Sequence, residues 1–293
     1  MSTTTISGSD TDGRHKARRG LAIYLALVVV LSAAIEALII RRPDIDGPFI
    51  AGLMFVPALA SVVARLVLKE GFSDVSFRFG GRRTLKAIGL ALIFPTVIGL
   101  IVYGVAWATG LASFAGDGSS SIIELLIGII LATTLWTALS SLLTAGEEIG
   151  WRGYMLTRLI DSGVPRPVLV SGLIWGLWHV PLVLAGLYAA GPSPAISAAF
   201  IMVSITSFGY VIARLRLETG SIWPAIVLHA SWNSVIQGPF DGATTGSGAT
   251  LWTGESGVLT ALTLVVAAII FSQGRWTILR QPPKRGNAPD PSK

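Results

Sequence analysis

Residues 220–238 read GSIWPAIVLHASWNSVIQG, and whether this stretch crosses a membrane decides the architecture of the chain. It has about the 20 positions a crossing helix needs, but Pro224, His229, Ser231, Asn233 and Gln237 make it the most polar candidate. Working outward, comparable and more apolar stretches run over 21–40, 49–68, 87–109, 122–146, 167–188, 194–213 and 256–273. If 220–238 did not cross, Arg275, Arg280, Lys284, Arg285 and Lys293 would face away from the other basic loops. If it does cross, 20 of the 22 Lys and Arg share one face, and only Arg41 and Arg42 lie on the other. That asymmetry marks a cytoplasmic face. The sequence therefore predicts an all-α membrane protein with about eight transmembrane helices and both termini cytoplasmic.

Composition agrees. The chain is 52% hydrophobic and 13% charged, with mean hydropathy +0.69, which leaves too little polar surface for a water-soluble globule. Its net charge of +6 sits in loops and tails, so it reads as topology and not as a nucleic-acid surface. Cysteine is absent, which excludes disulfides, thiolate metal sites and a cysteine nucleophile. The 21–40 stretch is too long for a signal peptide and lacks a small-residue cleavage site, so it reads as a first span. The expected organisation is a mobile tail over 1–20, one membrane domain over 21–273 and a second mobile tail over 274–293. The loop 69–86, KEGFSDVSFRFGGRRTLK, suits either the headgroup layer or ordinary solvation.

Ionisable residues inside spans are costly and by default mark function. Three clusters qualify, all between residues 120 and 240: Glu147, Glu148 and Arg152; Trp175 and His179; and His229 and Asn233. Residues four apart share a helix face, so Glu148 can pair with Arg152, Trp175 lies beside His179, and His229 and Asn233 point the same way. Adjacent Glu147 and Glu148 diverge by about 100° and are expected to do different jobs. His179 lies about 20 Å into its span and His229 about 20 Å beyond Arg216, so the clusters are expected to meet in the middle or cytoplasmic half of the bilayer.

Such a set suits amide hydrolysis. A carboxylate and an imidazole sharing one water form a general base, and a second imidazole with a carboxamide offers donors to a developing oxyanion. Glu147, His179 and His229 are equally the residue types that hold zinc, which would activate the same water. A proton- or cation-coupled transporter would also use such groups as a relay, and a noncatalytic immunity or scaffold protein would need none of this chemistry. The sequence has no His-Glu-x-x-His, no Gly-x-Ser-Gly in a span and no pair of intramembrane aspartates.

Glu-Glu-x-x-x-Arg at 147–152, aromatic-x-x-x-His at 175–179 and His-x-x-x-Asn at 229–233, in that order, resemble the CPBP family. This family comprises type II CAAX prenyl endopeptidases and bacteriocin-processing or abortive-infection proteins. The resemblance covers about residues 120–240 and departs from the family pattern in having Trp175 where Phe is usual. It implies an intramembrane endopeptidase in which Glu147 and His179 activate water, His229 and Asn233 stabilise the oxyanion, and Arg152 orients Glu148. It further implies no cofactor in the glutamate-type mechanism, a membrane-embedded or lipid-anchored peptide substrate, no nucleic-acid partner, and a multi-pass location in a cell membrane, with the bacterial plasma membrane expected.

Overall fold

The computed structural model describes residues 8–43, 46–116, 119–191 and 193–274. These residues are helical apart from short turns and one two-residue ladder. The principal helices are α1 (Gly8–Arg41), α2 (Asp46–Leu68), α3 (Arg82–Thr109), α4 (Ser119–Leu131), α5 (Thr137–Gly150), α6 (Leu156–Asp161), α7 (Pro167–Leu184), α8 (Pro194–Thr219), α9 (Trp223–Val235), α10 (Ala249–Trp252) and α11 (Val258–Ser272). Six helical stretches are long and apolar enough to cross a membrane: 12–41, 47–68, 82–109, 121–161, 167–184 and 194–219. The expected seventh and eighth spans correspond to α9 with its π-helical extension Ile236–Phe240, and to the shorter apolar α11. Large apolar side chains such as Leu142 (72% exposed) and Leu66 (70%) cover the outside, as expected of a lipid-facing surface.

Two boundaries differ from the sequence expectation. Helix α1 begins at Gly8, so residues 8–20 are helical and not a loose tail, and Arg18 donates a hydrogen bond to the Ser162 carbonyl. Residues 1–7 and the C-terminal tail beyond Gly274 lie outside the described residues. The fourth span does not stop at residue 146. It runs on through α5, a π turn over Trp151–Met155 and α6, so Glu147 and Glu148 lie inside a continuous helical stretch. Arg152, on the same stretch, is fully buried.

Glycine seams set how the helices meet. Gly146 and Gly150 face α2. A Cβ on Gly146 would meet the Met54 carbonyl oxygen at 2.8 Å, and one on Gly150 would overlap Pro57. This small-xxx-small edge lets the two backbones approach closely and turns Glu147 and Glu148 away from α2 toward α7 and α9. On α7, Gly172 packs against the Thr206 backbone of α8 in the same way.

At the basic end the 69–86 loop folds back onto the helix ends. Val75, in the 3-10 turn Ser73–Val75, is fully buried against Gly153. Asp74 joins Arg65 of α2 at 2.6 Å and Arg158 of α6 at 3.0 Å, and its carbonyl accepts from Arg216 of α8 at 2.6 Å. Arg158 also pairs with Glu70 at 2.8 Å. Phe72, Phe77 and Phe79 of the same loop are exposed. The loop is thus a docked strap with an aromatic outer edge. The opposite end is closed by the antiparallel ladder of β1 (Ser113–Phe114) with β2 (Thr244–Thr245).

Candidate active site

Glu147 and Glu148 are both buried, and their partners differ as the 100° divergence requires. One oxygen of Glu147 accepts the Trp175 indole N–H at 3.0 Å. One oxygen of Glu148 accepts both Arg152 Nη1 at 2.8 Å and His229 Nδ1 at 2.9 Å. The Arg152 guanidinium lies 4.0 Å from the centre of the Trp175 ring, where the ring face attracts a cation. Gly209 of α8 makes that stacking possible, since a Cβ there would stand 3.0 Å from Arg152 Nη2 and 3.2 Å from Trp175.

The imidazoles are oriented by their Nδ1 atoms. His179 Nδ1 lies 2.8 Å from the Trp175 carbonyl oxygen. A carbonyl only accepts, so Nδ1 carries the hydrogen and Nε2 keeps its lone pair. His229 Nδ1 donates to the Glu148 carboxylate, leaving its Nε2 for another partner. The Trp175 ring stands edge-on to both imidazoles, with centroids 5.5 Å from His179 and 5.1 Å from His229. The expected contact of Trp175 with His179 is present, and the same indole also holds Glu147. That second role was not read from the sequence, because the i, i+4 rule describes neighbours on one helix and not a bond to another.

A cavity of about 150 Å³ brings Glu147, His179, His229 and Asn233 together with Gln237. Its apolar wall is formed by Ile39 near the end of α1, Ile50 and Leu53 near the start of α2, and Leu182 near the end of α7. The sequence argued for the middle or the basic half of the bundle, but the approach to the cluster is lined by the opposite helix ends. Toward the basic end the site is backed by Tyr24, Trp151 and Tyr154, all fully buried, with Tyr24 centroids 6.0 Å from Trp151 and 5.3 Å from Tyr154. Glu148 and Arg152 lie beside this layer, away from the cavity wall. Tyr188, Gln237 and Glu255 also border the site. Gln237 was visible as a polar residue inside a span, and Glu255, an acid in an otherwise uncharged stretch before the last apolar helix, carried a signal that could have been noticed.

The zinc alternative fits poorly. Among the described residues no group of three His, Asp or Glu side chains is placed to hold a metal ion. The bonds at the two Nδ1 atoms do not themselves argue against a metal, since a ligating imidazole commonly donates its other N–H to a carbonyl or carboxylate.

Residues 124–235 match the family of type II CAAX prenyl endopeptidases described as Rce1-like. The match spans 112 of the 293 residues. All three polar motifs fall within the matched stretch, and the family is one of proteases. No curated protein matches the chain. With its several membrane-length apolar helices, this is a multi-pass membrane protein that is similar to the CAAX-protease family over residues 124–235.

Proposed function

We propose that this protein is an intramembrane endopeptidase that hydrolyses a peptide bond in a membrane-embedded or lipid-anchored substrate, of prenylated CAAX or bacteriocin-like type. The observation that carries this reading is the shared cavity of Glu147, His179, His229 and Asn233, with Glu148 turned away to Arg152. Glu147 and the free Nε2 of His179 take a proton from a water as its oxygen attacks the scissile carbonyl carbon. The carbonyl oxygen becomes an oxyanion, which His229 Nε2–H and the Asn233 carboxamide stabilise. His229 donates from both nitrogens in that state, and the Glu148 carboxylate at its Nδ1 balances the imidazolium. The proton held by Glu147 and His179 then passes to the leaving nitrogen as the C–N bond breaks. No metal is needed in these steps.

The apolar wall formed by Ile39, Ile50, Leu53 and Leu182 suits a lipid chain or an apolar peptide segment lying beside the scissile bond. In this reading α9 and α11 complete eight crossings with both termini on the basic, cytoplasmic face. The test is cleavage of an internally quenched farnesylated CAAX peptide, and of a bacteriocin-precursor peptide, by the full chain in liposomes. Glu147→Gln and His179→Ala are each expected to lower kcat by about 1,000-fold or more. Full cleavage by both variants overturns the reading.

A further inference from the structure

Glu255 lies in the turn between α10 and α11, outside the stretch matched by the protease family, and is only 9% exposed. One of its oxygens accepts the Trp232 indole N–H at 2.6 Å, and the other accepts the Tyr188 hydroxyl. Trp232 precedes Asn233 in the chain. Tyr188 belongs to the α7–α8 connection, and its ring centre stands 5.5 Å from that of His179. The next residue along, Ser256, donates to the Ala189 carbonyl at 2.6 Å, so two consecutive residues fasten this connection.

We propose that Glu255 is a positioning residue of the active site, holding Tyr188 against His179 and Trp232 behind Asn233. This rests on the proteolytic reading above. A carboxylate suits the task because its two oxygens accept from donors on separate segments, whereas a glutamine has one accepting oxygen and would turn its NH2 toward one of the donors. The two groups it holds are walls and not remote surface. Tyr188 lines both the catalytic cavity and a neighbouring cavity of about 400 Å³, as do Leu187 and Gln237, so it is part of the wall between them. Trp232, Tyr188 and Glu255 also border a void of about 20 Å³ shared with His179, His229 and Asn233, room for a single water.

An aromatic chain carries the arrangement deeper. Trp232 packs on Phe208 at 4.6 Å between centroids, and Phe208 packs on Trp175 at 6.2 Å. Trp175 in turn donates to Glu147. Trp175 and Trp232 therefore each spend their N–H on a carboxylate, one reacting and one bracing. A staple that only held the α10–α11 turn would need neither the tyrosine nor the tryptophan to border reacting groups. Loss of the brace frees the Tyr188 ring and with it the tilt of His179, while the apolar substrate wall is untouched.

The test uses the full chain in liposomes with the farnesylated CAAX peptide. Glu255→Gln is expected to lower kcat roughly 10- to 100-fold with KM changed by less than about threefold. Adding Tyr188→Phe to Glu255→Gln is expected to cost little more, because the two act through one contact. A second measurement needs no activity. The chain has no cysteine, and Ser204 lines the small void at 2% exposure, so Ser204→Cys supplies a single thiol reporter. Glu255→Gln in that background is expected to raise its labelling rate by a small neutral thiol reagent about tenfold, by shifting the closed wall toward open states. Unchanged labelling, or a loss of kcat that multiplies independently with that of Tyr188→Phe, overturns the proposal. If the parent chain cleaves neither peptide, the proteolytic reading fails instead, and the labelling rate alone still decides the brace.

Discussion

At the basic end of the bundle, guanidinium and carboxylate groups from the strap and from α2, α6 and α8 converge on Asp74. The opposite end is tied by aromatic and hydroxyl contacts: Tyr188 and Trp232 to Glu255, Trp107 to Thr244, and a two-residue ladder. Cavities of about 150 and 400 Å³ remain between its helix ends. The difference separates two tasks. A lattice of charges sharing one hub fixes where the helices stand and lines a pocket of about 720 Å³ with Arg14, Glu70, Asp74 and Arg158, whereas the cavity of about 150 Å³ at the other end has an apolar wall. The buried Tyr24, Trp151 and Tyr154 layer lies between these regions, and Glu147, His179, His229 and Asn233 occupy its open side.

The largest effect is expected at Arg152. Replacing it with methionine strands the buried Glu148 carboxylate and is expected to cost about 3–5 kcal/mol of stability, read as a large drop in the unfolding midpoint in detergent together with loss of cleavage. Asp74→Ala addresses the basic end alone. It removes a hub that is 25% exposed from Arg65 and Arg158 and is expected to cost about 2 kcal/mol. Peptide cleavage by the protein that remains folded should stay within about threefold of the parent, since the strap touches no cavity residue; a collapse of kcat in Asp74→Ala would mean that the two ends are not separable.

The smallest expected effect is a pH dependence at the other end. Burial pushes the Asp241 carboxyl up to about 6 from its ordinary 3.8, against the pull of the Tyr103 hydrogen bond and with Glu255 adding to the rise. The folded protein holds this proton more tightly than the unfolded chain does, so the linked stability is complete below about pH 4 and is lost as the pH rises through about 6. Asp241→Asn is expected to flatten that change, of order 1 kcal/mol after solvent screening. The measurement is the unfolding midpoint from about pH 4 to about pH 7, parent against variant.

Much of this was legible in the sequence, because hydropathy and helical spacing report on single helices. The apolar runs marked the spans, and the i, i+4 rule found the Glu148–Arg152 pair that the structure closes at 2.8 Å. What the rule could not convey was any bond between helices distant in sequence. Trp175 to Glu147, His229 to Glu148 and Tyr188 to Glu255 join residues 28, 81 and 67 positions apart. The strap was undecided for the same reason, since its charges looked solvated until their partners at Arg158 and Arg216 came into view. The continuation past Glu147 was missed because a buried arginine and an ordinary interfacial arginine are the same letter.

The helical stretch that carries the two glutamates also has an unusual phase history. It passes through a π turn at Ala132–Trp136 before α5 and another at Trp151–Met155 after it. Each π turn is an α-helix with one residue too many, which advances everything beyond it by about 100°. The fourteen residues of α5 therefore run on their own angular setting, like a gear between two couplings. The lipid-facing α4 and the strap-bound α6 can each keep the orientation their surroundings demand, while Gly146 and Gly150 stay on α2 and the glutamates stay turned inward.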